Sequence, residues 1–245
     1  MDAKPYIRSV ELKQAKLPGQ DQYPFNLPVI LNFSKIEFHP DVTFLIGENG
    51  TGKSTLIEAI AVALGFGPEG GTRAARFATA DDVSGLHAYL KCVRSFAQPR
   101  DYFFLRAESF HNYSSYIDSL PEAWKSLGAY DGVSIHYRSH GEAFMTTLQK
   151  KLRGRGLYIF DEPEAALSPT RQLEAMCRIH ELVREGSQFI IATHSPVLMA
   201  YPNAKLLQLN ELGITEVAYE DKDHYAVTRN FLNNRESILN EILHQ

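Results

Sequence analysis

Residues 42–55 read VTFLIGENGTGKST, an apolar run that passes directly into a glycine-bounded loop and a Lys-Ser-Thr triplet. Val42 to Ile46 has the length and composition of a short buried strand, and Ser54 to Leu64 reads as a helix. The loop between them, Gly47 to Thr55, matches the spacing G-x-x-x-x-G-K-[ST]. Gly47 and Gly52 let the backbone wrap closely around a polyphosphate, so that N–H groups along Glu48, Asn49, Gly50 and Thr51 turn inward. Lys53 brings a positive charge to the β- and γ-phosphates, and Ser54 offers a hydroxyl to Mg²⁺. At Thr55 the new helix is under way, with the positive end of its dipole toward the anion. Strand, phosphate loop and helix together open a βαβ unit and predict a nucleotide site.

Further along, LYIFDEPEAALSP, Leu157 to Pro169, is an apolar strand that ends in two acids. A strand buried on both faces does not end in Asp161-Glu162 without partners for the charges. Asp161 is placed to join the Mg²⁺ shell, and Glu162, one residue on, to polarise an attacking water. The plainer reading is an acidic turn that caps a helix. The next strand, Phe189 to Thr193, ends in Ala192-Thr193-His194-Ser195. A lone histidine is commonly a packed core residue, but His194 falls at the C-terminal edge of a parallel strand, where α/β ligand sites collect. From there it can reach a γ-phosphate or the attacking water.

The remaining pattern alternates strands and helices. Residues 7–12 and 29–38 read as strands of an N-terminal β region, joined by a Pro/Gly/Gln loop. Residues 65–82 read as an ordered loop, and 86–97 and 101–106 as strands. An aromatic and polar stretch, 107–135, reads as a short helical insertion and includes Phe110, Tyr113, Tyr116, Trp124 and Tyr130. A helix from Gly141 to Leu152 leads to the acidic strand. Between Pro169 and Glu185, Leu173, Met176, Ile179, Leu182 and Val183 recur at helical spacing, with Gly186 placed to stop the helix. Lys205 to Leu209 and Ile214 to Tyr219 are further strands, and one helix spans 225–243. This order predicts an α/β fold, a mainly parallel sheet with helices on both faces.

The chain has 245 residues, a formal net charge of −4 and a pI near 6.1. A protein held to nucleic acid by charge usually carries a basic surplus, so nucleic acid as a partner finds no support in the net charge. Lys150, Lys151, Arg153 and Arg155 form the nearest basic cluster, and they also fit the polar end of a helix and its turn. Cys92 and Cys177 read as buried small hydrophobes and form no C-x-x-C pattern, which points to a cytoplasmic setting. The N-terminus has no apolar signal-like core, and no run approaches the roughly 18 apolar residues of a membrane span. Direct membrane insertion is not expected, so a membrane role would need another chain.

Taken in order, GENGTGKST, SHGE, FDEPEAALSP and ATHSP resemble the ABC-type P-loop ATPases, whose members include transporter nucleotide-binding domains and SMC- and RecF-like heads. The closest likeness is to stand-alone bacterial predicted ATPases with the RSHGE and DEPEAALSP forms, and it spans nearly the whole chain. It implies a single P-loop NTPase domain over 1–245, with ATP and Mg²⁺ bound and residues 107–140 as a helical insertion and signature region. It also implies that Ser139 and the Gly141 backbone contact the γ-phosphate held by a second copy of the chain, in an ATP-dependent homodimer. Ser139 with Glu142 three residues later equally fits a capping box. The family's usual LSGGQ is replaced, so His140 and Glu142 are departures. Glu108 falls where the family's glutamine would lie, and Ser168 where aspartate is common. Arg73 and Arg76 either reach phosphate or base, or lie in a solvated loop.

Such an engine fits three uses. One is a stand-alone ATPase coupled to an unknown protein partner in DNA processing or defence. Another is the ATP-binding subunit of a transporter, with the aromatic stretch around Tyr113 to Trp124 as a docking surface or simply local core. The last is a nucleotide-dependent switch with negligible catalysis.

Overall fold

The computed structural model describes residues 4–13, 17–19, 21–73, 84–110, 112, 113, 115, 139–221 and 223–243. Among them, two sheets carry the architecture. The larger has six strands in the order β5-β6-β7-β3-β8-β9, formed by Asp101–Arg106, Gly156–Asp161, Gln188–Ala192, Val42–Ile46, Lys205–Asn210 and Gly213–Val217. β5 through β8 pair in parallel, and β9 returns antiparallel on β8. The smaller sheet is antiparallel, ordered β2-β1-β4 from Lys35–Glu37, Ile7–Leu12 and Leu90–Arg94. The mainly parallel sheet with an antiparallel N-terminal β region follows the sequence pattern.

The strands are apolar on both faces because both faces are covered. Phe44, Ile46, Phe103, Tyr158, Phe160 and Phe189 point to one side. There they pack on Phe144 and Leu148, from helix α3 (His140–Thr146) and the π-helical turn that extends it through Lys151. Ile179 and Leu182 of α4 (Pro169–Arg184) complete that layer. Leu45, Phe104, Ile159 and Ile190 point to the other side, against Leu56, Ile57 and Ile60 of α2 (Lys53–Ala63) and Val10 and Ile36 of the small sheet. This period-two division buries α2 under the sheet and presents its N-terminus at the sheet's edge.

Several expectations need correction. Residues 29–38 are not one strand. Pro28 occupies the first turn of a short helix α1, Pro28–Leu31, where its fixed φ and missing N–H cost nothing. Val29 and Ile30, adjacent in sequence, are both buried, which leaves only Lys35–Glu37 as strand. Residues Leu86–Tyr89 form a 3₁₀ turn after Gly85, so that strand shrinks to Leu90–Arg94. The single C-terminal helix is two, α6 (Asp223–Asn233) and α7 (Arg235–Leu243), separated at Asn234. Leu173 is 54% exposed rather than core, and Cys177 is exposed and Cys92 only half-buried. Of the aromatic stretch, Phe110 and Tyr113 belong to the core, with the Tyr113 ring edge-on to Phe103 at 5.5 Å. Tyr116, Trp124, Tyr130 and Arg76 lie outside the described residues.

Candidate functional site

Parallel pairing brings the C-terminal ends of β5, β6, β7 and β3 to one edge of the sheet. Their registers align Arg106 with Asp161, Asp161 with Ala192 and Leu45 with Ala192. The residues that follow each strand therefore meet: Glu108 after β5, Glu162 after β6, His194 after β7 and the Gly47 loop after β3. The phosphate loop, more than a hundred residues away in sequence, is brought beside the acids and the histidine at this edge.

The loop Gly47–Gly52 winds from β3 into α2. Thr51 Oγ1 donates to the Glu48 carbonyl at 2.9 Å and holds the turn closed, while Glu48, Asn49 and Gly50 stay exposed. Gly52 precedes α2 in the left-handed region, φ 94°, which favours glycine. α3, α4 and the short α5 (Pro196–Met199) are each capped by a serine side chain, from Ser139, Ser168 and Ser195. α2 has no side-chain cap, so its first N–H groups are left for another acceptor. Lys53, only 4% exposed, donates to the carbonyls of Gly47 and Glu48, both at 2.9 Å. Burial lowers the Lys53 pKa, and the charges of Glu162, Asp161 and Glu164 oppose that shift. An anion in the loop would relieve the same cation.

Ser54 Oγ donates to Asp161 Oδ1 at 3.2 Å. A hydroxyl and a carboxylate oxygen at that separation are the hard oxygen donors a Mg²⁺ ion takes, so the donor set fits the expected metal. Asp161 is buried at the end of β6, and that burial pushes its pKa from 3.8 up to about 7. Arg106, Ser54 and Lys53 pull it back, and Glu162 adds to the rise. Glu162 stands in the left-handed region, φ 49° and ψ 52°, an uncommon conformation for a residue with a side chain. Its N–H donates to the Ala192 carbonyl at 2.9 Å. This turn carries the Glu162 carboxylate to 3.3 Å from His194 Nε2. Strain of this kind, of order 1 kcal/mol or more, collects at functional sites.

A cleft of about 400 Å³ opens at this edge, lined by Ser54, Ala107, Glu108, His140, Asp161, Glu162, Ala165 and Ala166. Glu108, 83% exposed, contacts Arg106 Nη2 at 3.3 Å. His140 joins the cleft from the start of α3. Ser139 and Glu142 form a full capping box, with the Ser139 N–H and hydroxyl both on Glu142 Oε2 and the Glu142 N–H on Ser139 Oγ. Gly141 is held tightly, since a Cβ there would meet the Ala166 carbonyl oxygen at 2.5 Å. Arg73 lies elsewhere, its guanidinium 4.5 Å over the Tyr102 ring at the far end of β5.

Sequence reasoning passed over four residues that the structure adds. Glu58 on α2 pairs with Arg106 at 2.7 Å, and Arg106 Nε lies 4.0 Å from Asp161 Oδ2. Tyr23, 63% exposed, meets Thr55 Oγ1 through its hydroxyl at 2.8 Å. Glu164 accepts the His194 N–H at 2.5 Å. Glu58 carried a signal, an acid one turn past Ser54 in an otherwise apolar helix. Glu164 carried one too, as a third acid in DEPE.

Two family profiles match, one described as "AAA domain" over residues 27–98, the other as "AAA domain, putative AbiEii toxin, Type IV TA system" over 143–200. The first holds the phosphate loop, the second the acids and His194. No curated protein matches the chain. Among solved structures, cbiO1 of Clostridium perfringens, part of the ABC transporter complex cbiONQ, superposes with a TM-score of 0.52. The identity is 15%, over 99% of this chain and 100% of that one. The SMC head domain from Thermotoga maritima gives 0.45 at 14% identity, over 87% and 100%. An SMC head bound to the C-winged helix domain of ScpA gives 0.49 at 15%, over 87% and 98%. In the described residues no helix is long and apolar enough to cross a membrane. The chain thus has the P-loop NTPase fold that cbiO1 also has, and AAA-domain models match it at the phosphate loop and at the acidic strand.

Proposed function

We propose that this chain binds Mg·ATP at the sheet edge and hydrolyses it, and that a second copy of the chain closes the site. The observation that carries the reading is the meeting of Lys53, Ser54, Asp161, Glu162 and His194 at the C-terminal edge of the parallel strands. Gly47 to Thr55 wrap the phosphates, and Lys53 exchanges its two carbonyl acceptors for phosphate oxygens. Ser54 and Asp161 would hold Mg²⁺, which would supply positive charge against the polyphosphate. Glu162 orients and deprotonates the attacking water, a role supported by its own carboxylate, which is 40% exposed and carried by a left-handed turn. His194 Nε2 lies 3.3 Å from Glu162 Oε1, so it keeps that carboxylate aimed.

The position of Ser139 to Glu142 supports the homodimer. Ser139 and His140 are exposed at the N-terminus of α3, and Gly141 is pressed on Ala166 in the turn after the acids. A second copy reaching the γ-phosphate with Ser139 and the Gly141 backbone would thus sense the acidic turn of its own chain. The capping box is compatible with this role because the main chain of the first turn stays available.

The test is light scattering after size exclusion on Glu162→Gln, with and without Mg·ATP. A monomer that becomes a dimer only with Mg·ATP supports the shared site. A variant that binds ATP and stays monomeric leaves Ser139 to Glu142 as a helix cap alone.

A further inference from the structure

Glu164 lies outside the roles assigned above, yet it is bonded into the same edge. Its Oε1 accepts the main-chain N–H of His194 at 2.5 Å, across 30 residues of chain. Its Oε2 is buried and has no hydrogen-bond partner among the described residues. The turn that presents Glu164 is stiff: Pro163 follows the left-handed Glu162, and the segment Pro163–Ala166 is 3₁₀. Main-chain bonds from Ala165 to the Glu162 carbonyl and from Leu167 to the Glu164 carbonyl keep it wound. Two bonds consequently tie this turn to the end of β7, one from the Glu162 N–H to Ala192 and one from His194 to the Glu164 carboxylate. Between them lies the 3.3 Å approach of His194 Nε2 to Glu162 Oε1.

We propose that Glu164 is a positioning residue whose carboxylate pins the main chain at His194, so that the imidazole stays opposite Glu162. The chemistry favours a carboxylate for the task. A charged acceptor makes a shorter and stronger bond to an N–H than a neutral one. It also acts on the backbone rather than on the ring, leaving both imidazole nitrogens for other partners. Glu164 fixes where His194 sits and does not itself face the reacting atoms. The kinetic side of the proposal rests on the hydrolysis reading, while the structural side does not.

The experiment compares wild type with Glu164→Gln, which keeps an acceptor oxygen, and Glu164→Met, which matches the volume without one. Amide hydrogen exchange of the nucleotide-free full chain reads the His194 N–H directly. Exchange at that amide should rise about tenfold or more in the Met variant, as loss of a charge-assisted bond implies, and by only a few-fold in Gln, which keeps a neutral acceptor. ATP turnover should show kcat falling in Met to the level of His194→Ala with KM within about twofold, with Gln retaining most of it. The double variant with His194→Ala should be no slower than His194→Ala alone, the non-additivity of one unit. Unchanged exchange in Met overturns the anchor. Lost protection with an unchanged kcat overturns the positioning role. A wild type without turnover would instead fail the hydrolysis reading, and the exchange result would still decide whether Glu164 holds His194.

Discussion

Ser54, the second residue of α2, reaches across 107 positions of sequence to donate its hydroxyl to Asp161 at 3.2 Å. One partner heads the helix beneath the phosphate loop and the other ends β6, two strands away in the sheet. Their contact makes the proposed metal ligands a property of the tertiary fold. Ser54→Ala and Asp161→Asn should each weaken nucleotide binding in Mg²⁺ by about tenfold, the loss expected for one charge-assisted contact. In EDTA both should bind within a few-fold of wild type, because the loop amides and Lys53 remain. Titration with a fluorescent ATP analogue, in Mg²⁺ and in EDTA, measures the difference.

The same aspartate makes the site pH-dependent. Burial pushes its pKa from 3.8 up to about 7, so the folded chain holds this proton more tightly than the unfolded chain. Its contribution to stability is therefore complete below about pH 4 and is lost as pH rises through about 7. Asp161→Asn carries no such proton. In the nucleotide-free state the Asn variant should gain on wild type by roughly 1 kcal/mol per pH unit between pH 5 and 7. Denaturant midpoints at several pH values measure it. Metal binding has the opposite trend, because Mg²⁺ must displace the proton. Apparent Mg²⁺ affinity should climb up to about tenfold per pH unit below 7 and level off above it.

Arg106 stands among three carboxylates, bonded to Glu58 at 2.7 Å and close to Glu108 and Asp161. Glu58 is nearly buried and Arg106 mostly so, so cutting one partner leaves a charge without its counter-ion. Arg106→Gln should destabilise the chain by about 3 kcal/mol, toward the low end for a buried pair because the guanidinium keeps some solvent. The double variant Glu58→Gln with Arg106→Gln should cost clearly less than the sum of the singles. Chemical denaturation of the four proteins closes the cycle.

Much of this edge could be read from sequence because its motifs are contiguous. Gly47 to Thr55 carry strand, turn and helix start in one stretch, and Asp161-Glu162 end an apolar run. What was hidden depends on register. Nothing in FFLRAESF states that Arg106 will lie beside Asp161; that follows from the parallel pairing of β5 with β6. Likewise, Glu164 finds His194 only because β6 and β7 are neighbours. The strand expected at 29–38 failed because apolar residues on both sides of a polar pair suit a helix and a strand alike. There Pro28 and the close burial of Val29 and Ile30 decided for helix. The exposed Leu173 failed for a related reason. Its face of α4 borders an apolar groove shared with Tyr219, Tyr225 and Leu232, outside the sheet-facing stripe.

The central claim is that the chain hydrolyses ATP with Glu162 as the base. Its most direct test is the ATP turnover of wild type against Glu162→Gln in saturating Mg·ATP, with nucleotide affinity measured on the same samples. The account predicts slow but measurable wild-type turnover, a kcat at least about a hundredfold lower in the Gln variant, and equal ATP affinity. Turnover in Glu162→Gln at the wild-type rate would contradict it.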